Sequence, residues 1–229
     1  MSVVVAAVAR SPQRWTLVGL LAVLAGSLFA FAHITEDYLT NDPLVDWDVR
    51  FALWLHDHSS GNAVSFFKIV TNAGNTIVLL ILAGAVVTVF ARAGRTHASA
   101  TLLTALGGAA ILNGLLKLLF HRQRPEVGFV HLETYSFPSG HAAVTTATFT
   151  TLAFLIGRRS TNRRSAAMGV GAVALIVLVD FSRLYLGAHY LSDVLAGTCF
   201  GLSWACVCLI AYTLWSDRRL RLARRMPDE

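Results

Sequence analysis

Long apolar runs broken by short polar punctuation dominate this chain. Six runs stand out, covering residues 15–34, about 69–91, 98–116, 141–157, 165 to the region of 183, and 194–215. Crossing the hydrocarbon core of a bilayer takes roughly 20 apolar residues as helix, and most of these runs reach that length. The fourth and fifth are short or end in charge, which suits helices whose tips stop below the lipid surface. The pattern predicts an all-α protein: an integral membrane six-helix bundle in a single domain over residues 1–229, with no internal repeat.

Between the first two runs the period changes. Across residues 45–56, Trp47, Phe51, Trp54 and Leu55 recur at helical spacing, and Asp46, Asp48 and Arg50 take the other face. That pattern predicts an amphipathic helix lying in the membrane interface, with tryptophans at headgroup depth. It reads equally as one wall of a lipid entrance or as a structural belt.

Composition agrees with the pattern. Hydrophobic residues make up 55% of the chain and charged ones 14%, against about 25% charged in soluble domains. The excess of cations follows topology. Positive residues gather in short cytoplasmic loops, and thirteen of the 19 Lys and Arg fall on one predicted side: Arg10, Arg14, Arg92, Arg95, Arg158, Arg159, Arg163, Arg164, Arg218, Arg219, Arg221, Arg224 and Arg225. A multi-pass cell-membrane protein with both termini cytoplasmic is expected. Spread over loop ends, these charges form no groove for nucleic acid.

The first run, with its basic start and the triplet Ala30, Phe31 and Ala32, also reads as a cleavable signal peptide; its spanning length favours retention. Cys199, Cys206 and Cys208 share the last run, and Cys206 and Cys208, two apart, point to different faces, so all three are expected to pack as small apolar residues. Nothing in the spacing suggests a metal or cofactor site.

Four of the six remaining cations lie in or beside three polar stretches at the ends of runs. The first extends from Lys117 to Arg124 and Pro125. The second is Pro138, Ser139, Gly140 and His141. The third extends from Ser182 and Arg183 through His189 to Asp193. Lys117 ends the third run and Arg124 follows seven residues on; Arg183 arrives from the end of the fifth. Such cations can neutralise a phosphate without a metal, Arg by a planar fork and Lys as a point charge. Ser139 can cap a helix whose first amides face the anion, with His141 in the first turn. His189 and Asp193 are four apart, so the carboxylate can hold one ring nitrogen and leave the other free to attack. His121 and Arg122 are expected either to touch a second phosphate or headgroup or to be solvent-exposed. Asp180, three before Arg183, is expected to pair with it. Tyr135 and Tyr185 are candidates for the entrance.

In order and spacing the three stretches resemble the type 2 phosphatidic acid phosphatase family, over about residues 117–193. The resemblance implies a metal-independent lipid phosphatase without cofactor. It implies that Lys117, Arg124 and Arg183 hold phosphate oxygens, assisted by Ser139 and Gly140. It further implies that His189 attacks phosphorus, that Asp193 orients His189, and that His141 protonates the departing oxygen. Undecaprenyl pyrophosphate is the first choice of substrate, with phosphatidic acid, diacylglycerol pyrophosphate and phosphatidylglycerol phosphate compatible. The site is expected on the extracytoplasmic side. The alternatives are phosphotransfer from the same histidine to another lipid, and a non-catalytic protein that binds or transports lipid. Oligomeric state is left open.

Overall fold

The computed structural model describes residues 12–40, 43–130 and 132–223, the side chains of 12 and 217–223 excepted. The described residues form eight α-helices and a 3₁₀ turn. These are α1 (Pro12–Thr40), α2 (Pro43–Asp57), α3 (Gly61–Val70), the 3₁₀ turn Thr71–Gly74, α4 (Thr76–Arg92), α5 (Thr96–Phe120), α6 (Gly140–Gly157), α7 (Asn162–Tyr185) and α8 (Leu191–Ala223).

Five of these helices are long and apolar enough to span a membrane, and a bent pair makes a sixth candidate crossing. The expected second span is that pair. Helix α3 and the 3₁₀ turn meet α4 at 47°, because Asn75 leaves the helical conformation and caps α4, accepting from Ile77 N at 2.9 Å. The break serves packing. A Cβ on Gly74 would lie 2.5 Å from Val179 Cγ1, 2.8 Å from Thr145 Oγ1 and 3.3 Å from His141 Cδ2, so only glycine lets the turn lie this close.

Helix α6 is the central element, packed against α5, α7 and α8, with α1 running along α8. Its Val144, Ala147, Leu152 and Leu155 join Leu79 and Ala83 of α4 and Leu102, Leu106 and Ala109 of α5 in the main core. Outside, apolar residues are exposed, among them Ile77, Ile81 and Val89 on α4 and Val170, Val173 and Val177 on α7. That inversion of the soluble pattern fits a lipid-facing surface.

Gly197 and Gly201 of α8, spaced as small-xxx-small, bring α6 and α8 into backbone contact. A Cβ on Gly197 would sit 2.5 Å from Ser139 O, and one on Gly201 would run into Ala143 O. The N-terminus of α6 is thereby clamped beside the first turns of α8, where two of the three polar stretches meet.

The amphipathic helix exists as α2, but its faces differ from the expected ones. Trp47 and Trp54 are 62% and 53% exposed, as are Asp46 and Arg50, which pair at 3.9 Å. The stripe turned to the bundle is Asp48, Ala52 and Leu55, with Asp48 1% exposed. Burial of a carboxylate demands a partner, and Asp48 has one. At the opposite end of the bundle, Arg95, Arg158 and Arg159 border one cleft. Arg10, Arg224 and Arg225 lie outside the described residues, as do the side chains of Arg218, Arg219 and Arg221.

Candidate active site

All eight residues singled out in the sequence gather at one end of the bundle. Lys117 comes from the last turn of α5, Arg124 from the following loop, Ser139, Gly140 and His141 from the start of α6, and Arg183 from the last turn of α7. His189 precedes α8, and Asp193 lies in its first turn.

Backbone geometry sets the approach of these segments. Gly187 turns the chain with φ +61°, and a Cβ there would lie 2.7 Å from the Cα of Gly128. Phe129 N donates to Leu186 O at 2.9 Å, so the loop after Arg124 lies flat on the turn that carries His189. Ser139 N donates to Asp193 O at 2.9 Å, tying the start of α6 to α8. Buried Asn113 donates to Pro138 O at 3.3 Å and backs Gly140. The Ser139 hydroxyl caps α6, accepting from Ala142 N at 3.5 Å.

The three cations hang from neutral atoms. Lys117 Nζ donates to the carbonyls of Tyr135 and, at 3.4 Å, Ser136. Arg124 donates through Nε to Thr134 O at 2.6 Å and through Nη2 to Thr134 Oγ1 at 2.9 Å. Its Nη1 reaches Ala188 O at 2.5 Å and His189 Nε2 at 3.2 Å. Arg183 donates to Thr71 Oγ1 at 2.8 Å, and its Nε is buried without a partner among the described residues. Lys117, Arg124 and Arg183 all lie within electrostatic range of both imidazoles, and His189 within range of His141. Three cations meeting neutral partners around two histidines leave their charge free for an anion.

His189 is fully enclosed. Its Nε2 faces Arg124, and its Nδ1 faces Asp193 Oδ2 at 3.5 Å. That separation exceeds an ordinary hydrogen bond. Burial, and then Arg183, Arg124 and Lys117, push the imidazole well below its ordinary pKa. The ring is therefore neutral at physiological pH and keeps a lone pair.

The matches to known proteins cluster on this region. A model of the PAP2 superfamily matches residues 98–217. The chain belongs to the PAP2 superfamily. This PAP2 protein is 34% identical over 106 residues to phosphatidylglycerophosphatase B of Bacillus subtilis, covering 44% of this chain and 51% of that one. It is 32% identical over 124 residues to lipid A 1-phosphatase of Rhizobium etli (49% and 50%). A third relative, decaprenylphosphoryl-5-phosphoribose phosphatase of Mycobacterium tuberculosis, is 40% identical over 93 residues (38% and 46%). The matches span about half the length of these curated relatives. In fold, this PAP2 chain is similar to the transmembrane PAP2 type phosphatidylglycerolphosphate phosphatase of Bacillus subtilis, with TM-score 0.73, 22% identity and coverage of 87% and 96%. It also resembles Aquifex aeolicus LpxE, with TM-score 0.55, 20% identity and coverage of 71% and 94%.

Two expectations about neighbouring residues need correction, those for Arg122 and Asp180. Arg122 is buried, not solvent-exposed, and its guanidinium is taken up by two carboxylates: it is 7% exposed and bridges Asp48 and Asp193 at 2.8 and 2.7 Å. Burial opposes its charge, but Asp193 and Asp48 more than offset that, so its pKa stands above the ordinary value. Asp180 does not pair with Arg183; it points to α8 and accepts from Thr198 Oγ1 at 2.6 Å, while Arg183 reaches across to Thr71. His121 is exposed, with its ring edge-on to Tyr135 at 4.5 Å. Tyr185 accepts from Ser60 N at 3.2 Å and packs on Phe67 at 4.6 Å, so it joins α3 to α7. Sequence reasoning missed Asp48, Thr71, Asn113 and Ser192. Only Asp48 carried a signal: a carboxylate four and seven residues before the apolar Ala52 and Leu55.

Proposed function

We propose that this protein is a membrane phosphatase that removes a terminal phosphate from a lipid phosphate or pyrophosphate through a phosphohistidine at His189. The observation that carries this reading is the neutral, buried His189 held between Asp193 and Arg124 at the meeting point of three cations. The names of the relatives support the substrate class, since each denotes a phosphatase acting on a lipid.

Lys117, Arg124 and Arg183 grip the non-bridging oxygens together with the first amides of α6, charge that grows in value as the transition state forms. His189 Nε2 attacks phosphorus, and Asp193 Oδ2 accepts a hydrogen bond from Nδ1 and stabilises the positive ring. His141 gives its proton to the departing lipid oxygen as the P–O bond breaks. It then takes a proton from water, whose oxygen attacks the phosphohistidine and releases inorganic phosphate and free His189. No step calls on a metal.

The excess of Arg at the opposite end of the bundle supports a site facing out of the cytoplasm, with both termini inside. Substrates enter laterally from the outer leaflet. Undecaprenyl pyrophosphate is the carrier lipid favoured by a compact outward-facing enzyme, whereas the relatives' names favour a phosphate carried on a lipid headgroup.

The test is a phosphate-release panel in detergent without acceptor lipid, comparing undecaprenyl pyrophosphate, phosphatidic acid, diacylglycerol pyrophosphate and phosphatidylglycerol phosphate. Wild type should release inorganic phosphate from at least one, His189→Ala from none, and chelators should change little. Phosphate appearing on an added acceptor lipid, with no inorganic phosphate released, would point to phosphotransfer. Lipid binding without turnover would point to a carrier.

A further inference from the structure

A buried ion network stands behind the nucleophile, and it starts on the interfacial helix. Arg122 Nη1 donates to Asp193 Oδ1 at 2.7 Å, and Nη2 donates to Asp48 Oδ2 at 2.8 Å. Ser192 knits the pair together. Its backbone N donates to Asp48 Oδ1 at 2.9 Å, its hydroxyl contacts Asp48 Oδ2, and Arg122 Nη1 donates to the same hydroxyl at 2.6 Å. Tyr38 and Tyr190 hold the guanidinium plane, with ring centroids 4.8 and 4.5 Å from Cζ. Asp48, Arg122, Ser192 and Asp193 are 1%, 7%, 1% and 0% exposed.

The division of the fork is the informative feature. A guanidinium and a carboxylate often pair through two parallel hydrogen bonds. Arg122 instead spends one nitrogen on each of two carboxylates. Asp193 consequently meets Arg122 through Oδ1 alone, and its Oδ2 accepts from Tyr190 N at 2.9 Å and faces His189. With Asp48 uncharged, nothing would hold Nη2 away from Asp193. Arg122 could then take both oxygens and draw Oδ2 off the imidazole.

We propose that Asp48 and Arg122 are positioning residues for the nucleophile: Asp48 divides the Arg122 fork so that Asp193 keeps one oxygen for His189. The proposal rests on the reading of His189 as the attacking group. It makes α2 part of the reaction machinery, through a residue 145 positions away from Asp193.

The test is a small mutant cycle in detergent-purified full-length protein, read by kcat, KM, vanadate inhibition, thermal melting and ¹⁵N NMR of the histidines. Asp48→Asn should lower kcat by about tenfold to a hundredfold, by analogy with the range seen when a partner that orients a metal-ligating side chain is removed. KM and vanadate affinity should hold, and the His189 Nδ1 resonance should move. The decisive variant adds Arg122→Lys to Asp48→Asn. An ammonium cannot chelate a carboxylate as a fork does, so the double variant should turn over faster than Asp48→Asn alone. If Asp48→Asn does not fold, Arg122→Lys alone should show the kcat loss with a near-native melt. Wild-type kcat in Asp48→Asn, no rescue in the double variant, or a kcat loss with unmoved His189 resonances would each overturn the proposal. Full activity in Asp193→Asn would instead remove the reading of the site on which it rests.

Discussion

Four cations from two polar stretches lie at the same end of the bundle, yet they sit in two opposite electrostatic settings. Lys117, Arg124 and Arg183 bond to carbonyls, hydroxyls and one ring nitrogen, atoms that hold a cation in place without cancelling its charge. Arg122, two residues before Arg124, is clasped by two carboxylates and shut between two tyrosines. On the proposed reading, the first group is a seat for an anion and the second a brace. Residue type does not distinguish them; the charge of the partner does.

That contrast makes ordered predictions. Removing the atom that both settings serve should cost most: His189→Ala should cut turnover by more than about a thousandfold, as loss of a nucleophile does, with folding intact by thermal melting. Neutralising a seat residue comes next. A hydrogen bond to a charged group contributes about 1.5–3 kcal/mol, so Arg183→Gln should weaken vanadate inhibition by roughly tenfold to a hundredfold. The brace should respond oppositely, with Arg122→Lys leaving vanadate inhibition near wild type while kcat falls. Equal losses of vanadate affinity in the two variants would erase the distinction between seat and brace.

The clamp between α6 and α8 can be tested separately. Gly201→Val drives a branched side chain into Ala143 O, and overpacking of this kind costs about 1–3 kcal/mol. The melting temperature should drop, and kcat with it, because Ser139 and Asp193 are bonded across that contact.

The smallest effect is titration. Burial and three cations hold His189 neutral well below its ordinary pKa of about 6.5. The unfolded chain binds that proton first, so the histidine's contribution makes stability fall as pH drops below about 6.5 towards the lower folded value. Histidine NMR should show a neutral ring in this range. Vanadate should raise its pKa, because the bound anion offsets the seat cations; an unmoved pKa would place the anion elsewhere.

The spans, and the residues that the structure gathers at one end of the bundle, were legible in the sequence because each rests on a local pattern. Apolar runs mark membrane crossings whatever their neighbours, and Lys117, Arg124, His141, Arg183, His189 and Asp193 fall at the ends of those runs. The brace was legible at one point only. Asp48 sits among Asp46 and Arg50, and its place four and seven residues before Ala52 and Leu55 is the one hint that it, of the three, turns inward. Arg122 lies inside the stretch that begins at Lys117, so nothing local marks its partner 74 residues away. The broken second crossing escaped for a related reason. Thr71, Asn72, Gly74 and Asn75 do interrupt the apolar run, but what the bend packs against, Val179, Thr145 and His141, comes later in the chain.

The account turns on a covalent step at His189, and the stereochemical course at phosphorus measures that step without trapping an intermediate. With a phosphorothioate ester made chiral by oxygen isotopes and hydrolysed in water of a third oxygen isotope, transfer to His189 and then to water is two in-line displacements and predicts net retention of configuration. Inversion would mean that water attacks the ester directly, and His189 as nucleophile would be contradicted.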